Sequence, residues 1–265
     1  MKPSSPLYIL WLLVLCAGVV ACTTEGERRQ MAQVIAEADS MNRNYVPMTS
    51  DSLLLQACAF YDRHGSPNER MKAHYLLGCV YRDLGEAPRT IDCYQEAADC
   101  ADTLADDCDY RTLGCIYSQM GDVYYGQLLL ANTLEARKRA IHYASLACDT
   151  IGMLSDMKLS ASVYILTNRN DSAEIILRKA LDLYQQYGYR QGYLLSSMML
   201  MHVISAAPSR YEELGSLIAD FDNESNLFDD NHILAPEQRM FYYYKGLFYE
   251  EEKRLDSAEC YYRKI

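Results

Sequence analysis

Tryptophan, phenylalanine, glycine and proline are all scarce in this chain. Its 265 residues hold 1 Trp, 5 Phe, 13 Gly and 7 Pro. So little Gly and Pro excludes collagen-like, low-complexity and turn-dense all-β sequences. Positive charge is short as well: 25 Lys and Arg face 36 Asp and Glu, a net charge of -11. A nucleic-acid backbone is excluded as partner, because phosphate binding needs a basic stripe. No stretch sustains a two-residue apolar alternation, so strands are not expected. There is no G-x-S-x-G, H-E-x-x-H or P-loop, no C-x-x-C and no Cys/His set at zinc spacing. The sequence therefore nominates no catalytic residue, no metal site and no cofactor. What it has in quantity is Tyr (23), Cys (10) and apolar residues, which make up 50%.

The first 22 residues read as an address. Lys2 precedes an apolar run from Leu7 to Val20, the length of a signal-peptide core and short for a membrane-spanning helix. The run ends in Val19-Val20-Ala21-Cys22. This resembles the lipobox of bacterial lipoproteins, in which the Cys is acylated and becomes the first residue after cleavage. The resemblance implies a signal peptide over 1–21, lipidation at Cys22 and a polar tether over 22–30. Thr23, not Asp, follows the Cys, which points to the outer membrane, facing the periplasm or the cell surface. Lipid would supply the membrane affinity, while the acidic body stands off an anionic leaflet.

Beyond the tether the apolar periodicity is helical, and it repeats. Residues 73–97 carry Leu77-Gly78, Tyr81, Leu84-Gly85, Tyr94 and Ala97. A second unit is read from Leu113-Gly114, Tyr117 and Gly121, with Ala140 and Ala147 on its second helix. That frame leaves 14 extra residues between Gly121 and Ala140, taken up by longer helices. A third has Ala161, Tyr164, Asn168, Ala173, Leu177 and Ala180; a last has Gly246, Tyr249, Ala258 and Tyr262. Residues 188–225 lose the frame, and 27–42 with 51–63 form a divergent helix pair. Asp51, Asp171 and Asp256 each precede a second helix and are expected to cap it, with Glu174 and Glu259 completing capping boxes.

This skeleton resembles the tetratricopeptide repeat (TPR), a 34-residue helix-turn-helix unit, as found in TPR lipoproteins of Gram-negative bacteria. The resemblance implies an all-α fold: a right-handed superhelical solenoid over 31–265 of about five to six helix pairs, the last one incomplete at Ile265. An incomplete end implies either a longer protein or a covering partner. It further implies a concave groove for a protein or peptide ligand. In the TPR frame Tyr75, Arg82, Arg111, Lys158 and Tyr243 face that groove as a basic and aromatic stripe, and Cys79 and Cys115 stand where a carboxylate clamp needs Asn. The function implied is a lipid-anchored scaffold, not an enzyme. Glycan capture and outer-membrane assembly are the alternatives, and the first is disfavoured by a body without Trp.

The remaining features have structural readings. Most cysteines fall near apolar helix positions and read as small buried groups; Cys100 and Cys108 flank a turn and could pair. Acidic clusters at 99–109 and 220–230 lack a calcium-loop pattern and read as solvated connections. Most tyrosines sit at packing positions, leaving Tyr75 and Tyr243 for function.

Overall fold

The computed structural model describes residues 6–223, 228 and 233–265; the side chains of 6–24, 208 and 237 lie outside that description. So does the Cys22 side chain, on which lipidation rests. The described residues form twelve α-helices and two single-turn 3-10 helices, with one isolated β-bridge between Phe228 and Leu234. Among them no helix is long and apolar enough to cross a membrane. The chain divides into two compact units, 1–129 and 130–265.

The first unit contains α1 (Pro6–Arg43), α2 (Ser52–His64), α3 (Pro67–Asp83), α4 (Ala87–Asp99) and α5 (Tyr110–Gly126). The helix pair expected from 27–42 and 51–63 is α1 and α2. Arg28, assigned to the tether by sequence, docks on this unit, donating to Glu69 Oε1 and to the His64 carbonyl, each at 2.6 Å. Helix α3 starts at a capping box. The Ser66 hydroxyl accepts from Glu69 N at 3.3 Å, Glu69 Oε2 accepts from Ser66 N at 2.8 Å, and Pro67 fills the first turn. It ends before Gly85, whose φ of 76° suits Gly alone without cost. Helix α4 then returns along α3 with Thr90, Cys93, Tyr94 and Ala97 buried.

Close approach of these two helices has a specific cause. A Cβ added at Gly78 would lie 2.4 Å from Tyr94 Cδ1, so the tyrosine ring occupies the space of the missing side chain. The ring thus packs within its own repeat, while its hydroxyl reaches α5. The same lock recurs in the last pair, where a Cβ on Gly246 would meet Tyr262 at 2.3 Å. Tyr81, Tyr164 and Tyr249, which share a repeat position, are covered by arginines at or just inside the start of the following helix. Arg89 lies 3.7 Å from the centre of the Tyr81 ring, Arg169 4.7 Å from Tyr164 and Arg254 4.5 Å from Tyr249.

Helix boundaries correct the frame of the second repeat. Helix α5 matches α3 in length, 17 residues, and laying one on the other aligns Met120-Gly121 with Leu77-Gly78. Tyr124 then corresponds to Tyr81, and Leu128, at φ 59°, to Gly85. Gly121 is therefore not a turn residue but a buried residue inside α5. The 14-residue excess disappears: α6 (Leu130–Leu146) places Thr133, Arg137 and Ala140 where α4 has Thr90, Tyr94 and Ala97.

The second unit runs from α6 through α7 (Thr150–Leu166), α8 (Asn170–Gln186), α9 (Arg190–Ser205), α10 (Tyr211–Asp222), α11 (Met240–Glu251) and α12 (Leu255–Tyr262). Its third-repeat frame is as expected, with Ala161, Ala173 and Ala180 fully buried and Asn168 at φ 55° in the turn. Arg137 takes the place of an aromatic because it has an ion-pair partner: Nη1 lies 2.6 Å from Asp156 Oδ1 on α7, and both side chains are buried. The stretch that lost the frame is a helix pair, α9 and α10, joined by a 3-10 turn at Pro208–Arg210. Arg210 donates two hydrogen bonds of 2.7 Å to Glu174 and further bonds to Glu213. The hydrogen bonds from Arg210, with those from Arg178, hold the Glu174 carboxyl down to about 2.

The expected Asp caps are not formed. Asp51 precedes α2 without a capping bond; its carboxylate accepts from the Tyr81 hydroxyl at 2.9 Å. Asp171 and Asp256 lie inside the first turns of α8 and α12, where their charge favours the helix dipole, and Glu174 and Glu259 pair with arginines instead. The residues that do cap are Ser66, Asp109 and Asp149.

Gly78→Ala is expected to destabilise the protein by about 1–3 kcal/mol despite alanine's better helix propensity, because the Tyr94 ring must move. Chemical denaturation measures this, and adding Tyr94→Leu should recover part of the loss.

Candidate functional site

Helices α1, α3 and α5 run parallel, as their cross-links show. Asp39 pairs with Lys72 and Asn42 with Tyr75, while Asn68 binds the backbone at 107 and 109 and Tyr75 reaches Gln119. Together they line a concavity of about 1140 Å³ in the first unit. Its walls include Asp39, Asn42 and Arg43 from α1, Lys72, Tyr75, Arg82 and Asp83 from α3, and Arg111, Cys115, Ser118, Gln119 and Asp122 from α5. The turn after α1 contributes Tyr45, Val46 and Pro47.

Gln119 is the hub of the floor. Its Nε2 donates to the Tyr75 hydroxyl at 2.8 Å, and its Oε1 accepts from Arg82 Nη1 at 2.7 Å and from the Tyr94 hydroxyl. Arg82 also donates to Asn42 Oδ1 at 3.1 Å and to Asp83 Oδ1 at 2.7 Å. Asp83 in turn accepts from Met48 N at 2.9 Å. The amide joins α3, α4 and α5 directly, and Tyr75, Arg82 and Asp83 extend the network to α1 and the α1–α2 turn. The Tyr75 and Tyr94 rings stack at 5.8 Å, and burial pushes both phenols well above the ordinary range, so both hydroxyls stay neutral. Polar groups taken from water here have partners, as stability requires.

Three of the five residues assigned to a groove, Tyr75, Arg82 and Arg111, line this concavity together. Lys158 on α7 and Tyr243 on α11 belong to the second unit. There Lys158 is half-buried, and Tyr243 sits 5.6 Å from the Tyr244 ring and 6.2 Å from Tyr262. Tyr75 is buried and reaches the concavity mainly as part of its floor. Nor is the wall a basic stripe. Lys72 pairs with Asp39 at 2.5 Å, Arg43 pairs with the same carboxylate, and Arg82 with Asp83. The acidic partners come partly from α1, which the repeat frame did not map. In the corrected frame Asp122, not Cys115, occupies the clamp position of the second repeat; neither is Asn. Asn42 and Gln119 carry the network, and the sequence signal for Gln119 is its four-residue spacing from Cys115, which puts both on one helix face.

The cysteines divide by exposure. Cys58, Cys79 and Cys93 are buried as expected, and burial raises all three thiols, Cys93 to about 11. Cys115, Cys148 and Cys260 are exposed, against the expectation of burial. Cys148 lies in the turn after α6 at φ 53°, and Cys260 on the outer side of the short α12. Cys100 and Cys108 carry no disulfide. The acidic loop between α4 and α5 is held by Asn68 and by the Asp109 cap. No group of three metal-ligating side chains occurs among the described residues.

No protein-family model matches the chain, and a search of curated proteins finds no match. Solved structures do match. BtubC (BKLC) from P. vanneervenii aligns at TM-score 0.60 and 13% identity, covering 89% of this chain and 87% of that one. The nearly identical TPR-like repeats of a kinesin light chain candidate from Podosopora anserina align at 0.55 and 13%, covering 75% and 94%. Aspartyl phosphate phosphatase F from Bacillus subtilis aligns at 0.54 and 16%, covering 91% of this chain and 59% of that chain. At these identities the likeness concerns fold: the chain is all-α and TPR-like.

In the folded protein, iodoacetamide should label Cys115, Cys148 and Cys260 first and reach Cys58, Cys79 and Cys93 only after denaturation. Peptide mass spectrometry with timed quenching checks the order; early labelling of Cys79 would contradict the closed floor.

Proposed function

We propose that this chain is a non-catalytic TPR-like scaffold, lipid-anchored at the cell envelope, that holds a protein or peptide segment in the concavity of its first unit. The concavity itself carries this reading. It is about 1140 Å³, built on a hydrogen-bonded polar floor, with a wall of half-buried paired side chains and exposed ones such as Arg43, Val46 and Cys115. A ligand site needs such preorganisation, because ordering the wall at binding would cost affinity. The TPR-like fold supports a macromolecular partner, and the acidic charge argues against nucleic acid. Anchoring rests on the sequence before Cys22 and on the apolar run ending there.

Arg82 is committed to holding three helices, so its replacement tests the fold more than the ligand. Ser118 on the α5 wall is the better probe. A photo-crosslinking amino acid at Ser118 should capture a discrete partner in cells, while the same group at Gln95, exposed on α4, should not. In parallel, Cys22→Ala should abolish incorporation of an alkyne fatty acid and move the protein out of the membrane fraction. Equal capture at both positions would refute the site, and unchanged fractionation the anchor.

A further inference from the structure

The last helix pair repeats the tyrosine arrangement of the first unit with its charge inverted. Laying Gly246 on Gly78 aligns Tyr243 with Tyr75, Tyr262 with Tyr94, and Lys253, at φ 60°, with Gly85. The Tyr243 and Tyr262 rings lie 6.2 Å apart, against 5.8 Å for Tyr75 and Tyr94. In the first unit the pair is closed. Tyr75 is 4% exposed, and Arg82 shares Gln119 Oε1 with the Tyr94 hydroxyl. At the places of Arg82 and Asp83, α11 carries Glu250 and Glu251, both exposed. Tyr243 beside them is 38% exposed.

Other rings of α11 and α12 are covered by the chain's own cations. Lys245 lies 4.6 Å from the centre of the Tyr261 ring, Lys264 5.5 Å from Tyr242 and Arg254 4.5 Å from Tyr249. Among the described residues no cation lies over Tyr243 or Tyr262, and none pairs with Glu250. Glu250 is positioned by one bond: its Oε2 accepts from the Tyr262 hydroxyl at 2.7 Å. Burial and that bond push the Tyr262 phenol up, so it stays a neutral donor. Tyr211, at the start of α10, lies within electrostatic reach of Tyr243, Glu250 and Glu251. A concavity of about 500 Å³ opens beside Glu250 and Tyr262; Arg263 on its wall pairs with Glu259 at 2.5 Å.

An exposed ring pair beside a carboxylate that no cation of the chain neutralises attracts a cation from outside. We propose that the last helix pair binds an arginine side chain of a partner protein, its guanidinium lying on the Tyr243 ring and donating to Glu250. The partner thereby supplies the charge that the first unit carries in Arg82. A guanidinium suits this site better than an ammonium, because its face covers a ring while its edge reaches a carboxylate. The chain already contains that geometry: Arg89 lies 3.7 Å from the centre of the Tyr81 ring, and its Nη1 donates to Glu86 Oε2 at 3.0 Å. This site is separate from the concavity of the first unit and stands whether or not that concavity holds a peptide.

Saturation-transfer NMR on the full chain with the end-capped pentapeptide Gly-Gly-Arg-Gly-Gly tests this. The arginine side-chain protons should receive the transfer. Citrulline, the neutral isostere of arginine, should bind about tenfold more weakly, and lysine about threefold. Glu250→Gln should weaken the arginine peptide about tenfold and Tyr243→Leu about threefold. Asp182→Asn, at an exposed carboxylate on α8, should change nothing. Glutamine at 250 keeps an acceptor for the Tyr262 hydroxyl, so the melting temperature of Glu250→Gln should match that of the unaltered chain. A purely structural carboxylate would lower the melting temperature without selecting arginine over citrulline. Equal binding of arginine and citrulline, lysine bound as tightly as arginine, an equal loss in Asp182→Asn, or no binding at all would overturn the proposal.

Discussion

The N-terminal unit depends on how closely α4 can lie against α3. Gly78 leaves a gap, and the Tyr94 ring fills it, so that the tyrosine is wholly buried yet directed across the helix pair. From there its hydroxyl meets Gln119 on α5, and its ring stacks on Tyr75. One steric accommodation within a repeat thus sets the reach of the polar network between repeats. A larger residue at 78 would push out the ring and, with it, the group that fixes Gln119. Packing and site geometry are here the same interaction seen from two sides.

That coupling explains how charges are used in the concavity. Arg82, Lys72 and Arg43 look available in sequence, but carboxylates on α1 and α3 neutralise them and hold the helices in place. The wall is therefore structured before any ligand arrives.

Much of this was legible in the amino-acid order, and the failures have physical reasons. Leu77-Gly78, Tyr81, Gly85 and Tyr94 announced a helix pair, and the structure bears that out. In the second repeat both Leu113-Gly114-x-x-Tyr117 and Met120-Gly121-x-x-Tyr124 satisfy the pattern. They lie about two helical turns apart, so they share a helix face. Choosing the first misplaced the turn but kept the face, which is why Arg111, Cys115 and Ser118 do line the concavity. Only the Asp109 cap and the positive φ of Leu128 separate the two frames, and neither leaves a compositional mark. Arg137 at an aromatic position was unreadable because its partner, Asp156, is on another helix. The Asp caps failed for a local reason: Asp51 serves Tyr81, and the other two sit one step inside their helices.

The central claim is that Gln119 ties α3, α4 and α5 directly, and α1 through Tyr75 and Arg82, into one preorganised concavity. Amide hydrogen exchange on Gln119→Leu, read by mass spectrometry beside the unaltered chain, tests it most directly. Loss of protection is predicted over 39–48, 71–83, 91–99 and 111–123, with α8 to α12 unchanged. Protection unchanged throughout the first unit, or lost equally in both units, would contradict it.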